Sequence, residues 1–435
     1  MLSVLVAMIL SRLSGMSIYA MQQTGHSGMD DNTMYRLMNN PLIDWKSILL
    51  AFARQFLRCV WEKGEPDTKA VKCIVIDDTE IEKRGRTFEG ISKIFSHVSH
   101  RFLFGYKMLT LCFWDGKSLI PCCLSLHREN KKNEYGLNKK QQKRQFRKER
   151  KSPGYFKERY EELDEEKSRV AVKMLKRAVK SKLLSATYVL MDSWFVSDYM
   201  LQSIRAIQGG LLHVVGMCKM DKRRFKLGDK EYNSLTIIKM NETKKEKVHL
   251  SRKYHSKYMA IEADYHGVSV KLFYIRYKNA RKWTLLLTTD LSLSFAGAME
   301  VYQIRWGIEV MYKECKQYLR LGKAQNTDFY GLVADATLTL ITYTILTLYK
   351  RFESYETLGA LFRNTQREML EKTLCERIAI VFIIIVAGLL EILSLDVEES
   401  ISRIISSKQG DRSLIILLNA INQLDKECEI SLSVA

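Results

Sequence analysis

The chain has 435 residues, enough for roughly two or three domains, and its 46% hydrophobic content supplies a sizeable core and excludes a disordered tail. Lys and Arg outnumber Asp and Glu by 69 to 49, a formal charge of +20, too lopsided for an ordinary metabolic enzyme and an argument for a polyanionic partner.

The opening MLSVLVAMILSRLSGMSIYA has no basic stretch before its apolar run and is interrupted by Arg12, so it reads as a helix rather than a signal peptide. The four prolines, at 41, 66, 121 and 153, all lie in the first half, and Pro66 in EKGEPDT marks the end of a helical N-terminal segment. VKCIVIDDT (71–79) has the pattern of a buried strand, and 102–127 reads as two more strands joined at Asp115-Gly116. The segment from Arg128 to Lys151 carries eleven Lys or Arg against three Glu, with Tyr135 and Phe146 interleaved, and is expected to be a mobile insertion that meets nucleic-acid phosphates. Helical periodicity runs from Tyr155 to Leu184, and SATYVLMDSWF (185–195) is a buried strand ending in Asp192.

Between Leu212 and Asp290 the stretches LHVVGMCKM, SLTIIKM, KYMAIEADY, VSVKLFYIRY and KWTLLLTTD look like strands. Residues 292–321 are expected as one helix, and the remainder is mainly helical. The apolar run Ile378–Leu390 is shorter than the roughly 20 residues needed to cross a bilayer, so no membrane partner is expected. Nine scattered cysteines without CxxC spacing point to a reducing cytoplasm rather than a zinc ribbon or a disulfide framework. His97 and His100 have no Cys or acidic partner at ligand spacing and read as polar surface residues.

Within the expected helix, Tyr302, Arg305, Glu309 and Lys316 fall within an arc of about 60°, while Ile308, Met311 and Cys315 lie on the far side. The four polar residues form one stripe facing away from the core. Taken alone, it is equally a salt-bridged surface or a site, since Arg305 and Glu309 are i,i+4 partners. Three carboxylates sit on rigid elements: Asp77 or Asp78 on a strand, Asp192 at a strand end, and Glu309 on the helix. Buried strands tolerate ionised carboxylates only when these are paired or metal-bound, and paired carboxylates with divalent ions are a common solution for phosphoryl transfer. Singly, Asp192 could cap the following helix, and Asp77-Asp78 could shape a turn.

IDDT, VLMDSWF and the spacing Y-x2-R-x3-E-x6-K after a β-rich stretch resemble bacterial insertion-sequence transposases of the DDE class, in the IS-four family with its YREK signature. The resemblance covers roughly residues 30 to 330. It implies an α/β, RNase H-like catalytic domain over 67–330, a mixed sheet flanked by helices, interrupted by a β-rich insertion at 210–290 before the last catalytic helix. It leaves 1–66 as a helical candidate for DNA-end binding and 331–435 as a helical candidate for dimerisation. By the family's D-x-[ST] pattern, Asp77 is the first acid with Asp78 as runner-up, Asp192 the second and Glu309 the third. These three would be the catalytic metal ligands, for Mg²⁺ or Mn²⁺, two ions in all.

Tyr302, Arg305 and Lys316 would hold phosphates of the transposon end. The implied steps are nicking, hairpin formation and opening, and strand transfer in a homodimeric synapse, with double-stranded terminal repeats and target DNA as partners, in the bacterial cytoplasm with the nucleoid. Trp194, Trp283 and Trp306 are candidates for stacking on a flipped base, each equally a core residue. A nuclease that cleaves without joining needs the same acids but no such helix, and a non-catalytic DNA-binding derivative would have lost an acid.

Overall fold

The run CIVI opens β1 (Cys73–Glu82), and these four residues are fully buried, the continuous apolar pattern of a strand covered on both faces. Next come β2 (Ser92–Ser96), the long β3 (Arg101–Trp114) and β4 (Leu119–His127). β3 lies antiparallel to β1, with Asp77 opposite Thr110. Along its other edge β3 pairs first with β2 and then with β4. Gly105 marks the crossing point, because a Cβ there would come within 2.1 Å of the Ile81 carbonyl oxygen.

β5 (Tyr188–Met191) is parallel to β1, and β6 (His213–Cys218) is parallel to β5. The sheet order is therefore β4-β3-β1-β5-β6 over this half. The β-rich stretch continues the same sheet outward through β12 (Thr284–Thr288), β11 (Val268–Tyr277), β10 (Ser256–Tyr265), β7 (Arg224–Leu227) and β8 (Lys230–Asn233), while β9 (His249–Ser251) pairs with β10.

In this computed structural model the described residues are 8–9, 11–12, 31–63, 70–129, 134–181, 184–352, 356–365 and 367. Met1–Leu361 forms one compact unit, and a second unit begins at Phe362. The apolar run 378–390 lies outside the described residues, as does the C-terminal region expected over 331–435 from residue 368 onward. Helices α1 (Asp31–Met38) and α2 (Trp45–Glu62) come first, and the Asp44 side chain caps α2 by accepting from Ser47 N. α2 packs on β4 and on a 24-residue helix, Phe329–Phe352. That helix is long and apolar enough to cross a membrane, but most of its length is buried inside the unit.

Three expectations change. The basic segment is docked rather than mobile over 134–151, where it forms the short α3 (Lys139–Lys143). The Phe146 amide donates to Thr87 O at 2.5 Å, Gln145 donates to Ile91 O, and Arg150 pairs with Glu89 at 3.1 Å and Asp328 at 2.9 Å. Charge composition counts cations but does not reveal the buried acids that hold them. SLTIIKM is a helix rather than a strand, since Asn233 caps Ser234–Asn241 by accepting from Thr236 N, which overrides the strand preference of its Thr and Ile residues. The long stretch 292–321 is two helices, Phe295–Gln303 and Trp306–Gln317, joined by a turn in which Ile304 N donates to Val301 O and Arg305 N to Tyr302 O.

Candidate active site

Before the site, the chain builds α4 (Gly154–Glu161) and α5 (Lys167–Val179), and α6 (Asp198–Arg205) follows β5. Because Ile76 pairs with Met191 on adjacent parallel strands, the residues just beyond them, Asp77 and Asp192, emerge side by side. Openings at the carboxyl ends of parallel strands are where α/β sheets place their ligands. With α7 (Ser234–Asn241) already counted, the two helices of the polar stripe are α8 (Phe295–Gln303) and α9 (Trp306–Gln317).

α9 buries Ile308, Met311, Tyr312 and Cys315 and turns its polar stripe onto β1. Tyr312 donates to the Asp77 carbonyl at 2.9 Å, and the Lys316 ammonium donates to Thr79 Oγ1 at 2.8 Å. Asp77, Asp78, Asp192, Arg305, Glu309 and Lys316 thus line one cleft of about 740 Å³. Arg305, Glu309 and Lys316 of the stripe face this cleft, while Tyr302 lines a smaller pocket beside Asp192.

Arg305 is the centre of the electrostatics. Its Nη1 donates to Asp77 Oδ2 at 2.7 Å, and its Nη2 pairs with Glu309 Oε1. Tyr302 lies beside it, with the guanidinium carbon 5.7 Å from the ring centroid. The i,i+4 ion pair expected of the helix is therefore formed, and it lies in the cleft that Asp77 and Asp192 line. Burial pushes the Asp77 carboxyl up to about 7; Arg305 pulls against this, and the neighbouring Asp192 adds to it. Burial likewise lowers the Lys316 ammonium and raises the Tyr302 phenol.

Adjacent strand residues point to opposite faces, and this separates Asp77 from Asp78. Asp77 meets Arg305 of the stripe, whereas Asp78 pairs with Lys167 at the start of α5. Asp192 accepts from the amides of Trp194 at 2.9 Å and Phe195 at 3.3 Å, a local turn. It does not cap the next helix; Ser197 does, accepting from Met200 N.

The three expected acids share the cleft without forming a ligand cluster. Among the described residues no group of three or more His, Cys, Asp or Glu is close enough to hold a metal ion. The reason is Arg305, which spans Asp77 and Glu309 and takes the place between them. Arg305, expected to hold phosphate, here holds two carboxylates.

Of the three tryptophans, Trp194 and Trp306 are 45% and 63% exposed, so neither is a core residue. Trp283 is partly buried against the core and lines a smaller pocket of about 380 Å³ with Asp192 and Tyr302. His97 is exposed, as expected, but also lines the main cleft. Sequence reasoning missed Tyr312 and Lys167. Tyr312 was findable, because it falls at about −80° from Tyr302, at the edge of the stripe. Lys167 carries no local signal.

A family model described as DDE superfamily endonuclease matches residues 1–219, just over half of the chain. The chain belongs to the DDE superfamily endonucleases. A second model, of archaeal ISC1217-type transposases, matches residues 149–351 of this DDE family member. Together the two matches indicate a DDE transposase. The second model is archaeal, whereas the sequence reading pointed to a bacterial element. None of the curated proteins matches the chain.

Proposed function

We propose that this DDE family member is a DNA transposase with an RNase H-like core that excises and inserts its element by metal-dependent phosphoryl transfer. The observation that carries this reading is the pair Asp77 and Asp192, each one residue beyond the last parallel pair of β1 and β5, with Glu309 on the helix across the same cleft. The order β4-β3-β1-β5-β6, with β1, β5 and β6 parallel, supports the RNase H-like assignment.

DDE superfamily endonucleases generally use divalent metals, and the donor set suits one. Asp77 is raised to about 7 because burial and the Asp192 charge both oppose its ionisation. Two hard carboxylates crowded in one cleft are relieved by a hard divalent cation. Asp77, Asp192 and Glu309 are the residues that would hold Mg²⁺ or Mn²⁺, which when bound activates a water or 3′-hydroxyl and offsets charge on the leaving oxygen.

The chain's own residues supply the rest. Arg305 offers a planar fork that fits a phosphate as well as the carboxylates it now bridges, Lys316 a point charge and Tyr302 a hydroxyl or a stacking face. Tyr312 fixes the backbone at Asp77. In this reading the protein nicks the element end, forms and opens a hairpin, and joins the freed 3′-hydroxyl to target DNA within a homodimer.

The test uses the full chain, Mg²⁺ and a duplex carrying the DNA that flanks the gene. Wild-type protein is expected to give nicked, hairpin and joined products, and Asp192→Asn none of them while still binding the duplex. Undiminished cleavage by Asp192→Asn would sink the assignment, and cleavage without joined products in wild type would reduce it to a nuclease.

A further inference from the structure

Lys167 is a cation beside the cleft that the reading above does not use. It is the first residue of α5, where a positive charge opposes the helix dipole, so helix stability does not explain it. The two acids just before it face elsewhere: Glu165 pairs with Lys173 at 2.7 Å, and Glu166 lies 3.7 Å from Arg169. The Lys167 ammonium pairs instead with Asp78 and sits 4.0 Å from the centroid of the Trp194 ring.

Both neighbours belong to the site. Asp78 lines the cleft, and Trp194 stands two residues after Asp192 with its surface 45% exposed. Of the cations lining the cleft, Arg305, Lys313 and Lys316 come from the α8–α9 region, while Lys107 of β3 is taken up by Glu80 at 3.1 Å and the Phe95 carbonyl at 2.9 Å. Lys167 approaches from α5, on the other face of β1, the face to which Asp78 points. An ammonium has three donors and Asp78 occupies one; the indole holds the cation by its face without taking a lone-pair partner.

We propose that Lys167 is a further DNA-contacting residue, binding a backbone phosphate of the strand that passes Asp192, with Asp78 and Trp194 as the residues that position its ammonium. The inference rests on the reading of the cleft as a DNA-cleaving site. Lys167→Gln removes the charge while leaving a polar side chain, and Lys167→Arg keeps the charge.

The experiment measures binding of the full chain to a fluorescent duplex carrying the gene's flanking DNA, without divalent metal, over a salt series. The same series is run with duplexes in which single phosphates near the cleaved position are neutral methylphosphonates. Lys167→Gln is expected to flatten the salt slope by about one unit. One methylphosphonate that weakens wild type should leave Lys167→Gln unaffected, and Lys167→Arg should restore both effects. An unchanged slope, or equal weakening of wild type and Lys167→Gln at every position, overturns the proposal.

Should thermal melting show Lys167→Gln unfolded, Trp194→Leu takes its place. Its loss of response to that one methylphosphonate supports the proposal, and an undiminished response overturns it. Cleavage by Asp77→Asn tests the underlying reading separately. If Asp77→Asn still cleaves, the site reading fails; if it is inactive and Lys167→Gln shows no phosphate coupling, only the role of Lys167 is removed.

Discussion

Two arginines in this protein each bridge two carboxylates, and their surroundings differ. Arg150 links Glu89 and Asp328, all three side chains at most 6% exposed, with its guanidinium 3.5 Å from the Phe156 ring centroid. The acids are held further by backbone amides, Phe329 N to Glu89 and Tyr330 N to Asp328. Arg305 links Asp77 and Glu309, but Glu309 is 36% exposed and Asp192 adds a third carboxylate to the same cleft. The first cluster is sealed and closes the basic segment onto the core. The second is open to solvent at Glu309, and under the proposed function its carboxylates would exchange the guanidinium for a divalent cation and Arg305 would exchange them for a phosphate. The same three-residue chemistry is a clamp in one place and a site in the other because of what covers it.

The largest effect should come from breaking the sealed cluster. Arg150→Ala leaves the buried Glu89 without a cation and Asp328 with Lys148 alone, 3.4 Å away, and is expected to cost about 3–5 kcal/mol in chemical denaturation. If it costs no more than Arg305→Ala, the contrast fails. Arg305→Ala should cost less, about 1–3 kcal/mol, because Glu309 can turn to water and only Asp77 is left buried without its partner, while DNA binding falls.

The pH dependence sharpens the comparison at Asp77. Its carboxyl is raised to about 7 in the folded chain, chiefly by burial, against an ordinary value near 4. Between those values the folded state holds a proton that the unfolded state has lost, so this group's contribution to stability falls as pH rises from about 4 and levels off above about 7. Asp77→Asn is expected to remove that fall, so its stability relative to wild type should be greater at pH 8 than at pH 4. Denaturation at the two pH values checks this, and an equal difference at both would return Asp77 to an ordinary carboxylate. The smallest expected effect is at Lys316, whose replacement by Ala should flatten the salt dependence of DNA binding by about one unit of slope; an unchanged slope leaves it as a bond to Thr79 alone.

Much of the site was legible because its signals are local. A buried run ending in acids marks β1, a second such run ends in Asp192, and the 3.6-residue period sets four polar residues of 302–316 on one face. The three acids do reach one cleft. What the sequence obscured depends on neighbours distant in the chain. The choice between Asp77 and Asp78 is one of sheet face, and each face is defined by the helix that covers it, α9 for one and α5 for the other. The break at Ile304–Arg305 interrupts a pattern whose periodicity runs on across it.

The sequence by itself determined which residue types could do phosphoryl-transfer chemistry and on which elements they lie, since strand and helix periods follow from backbone geometry alone. Beyond the i,i+4 pair Arg305–Glu309, only the tertiary structure decided their partners. Arg305 meets Asp77 across 228 positions, Lys167 meets Asp78 across 89, and Arg150 meets Asp328 across 178. Ionic contacts over such separations are set by how the sheet is ordered and covered, and a charge acquires its role from the cation, acid or solvent that this ordering places beside it.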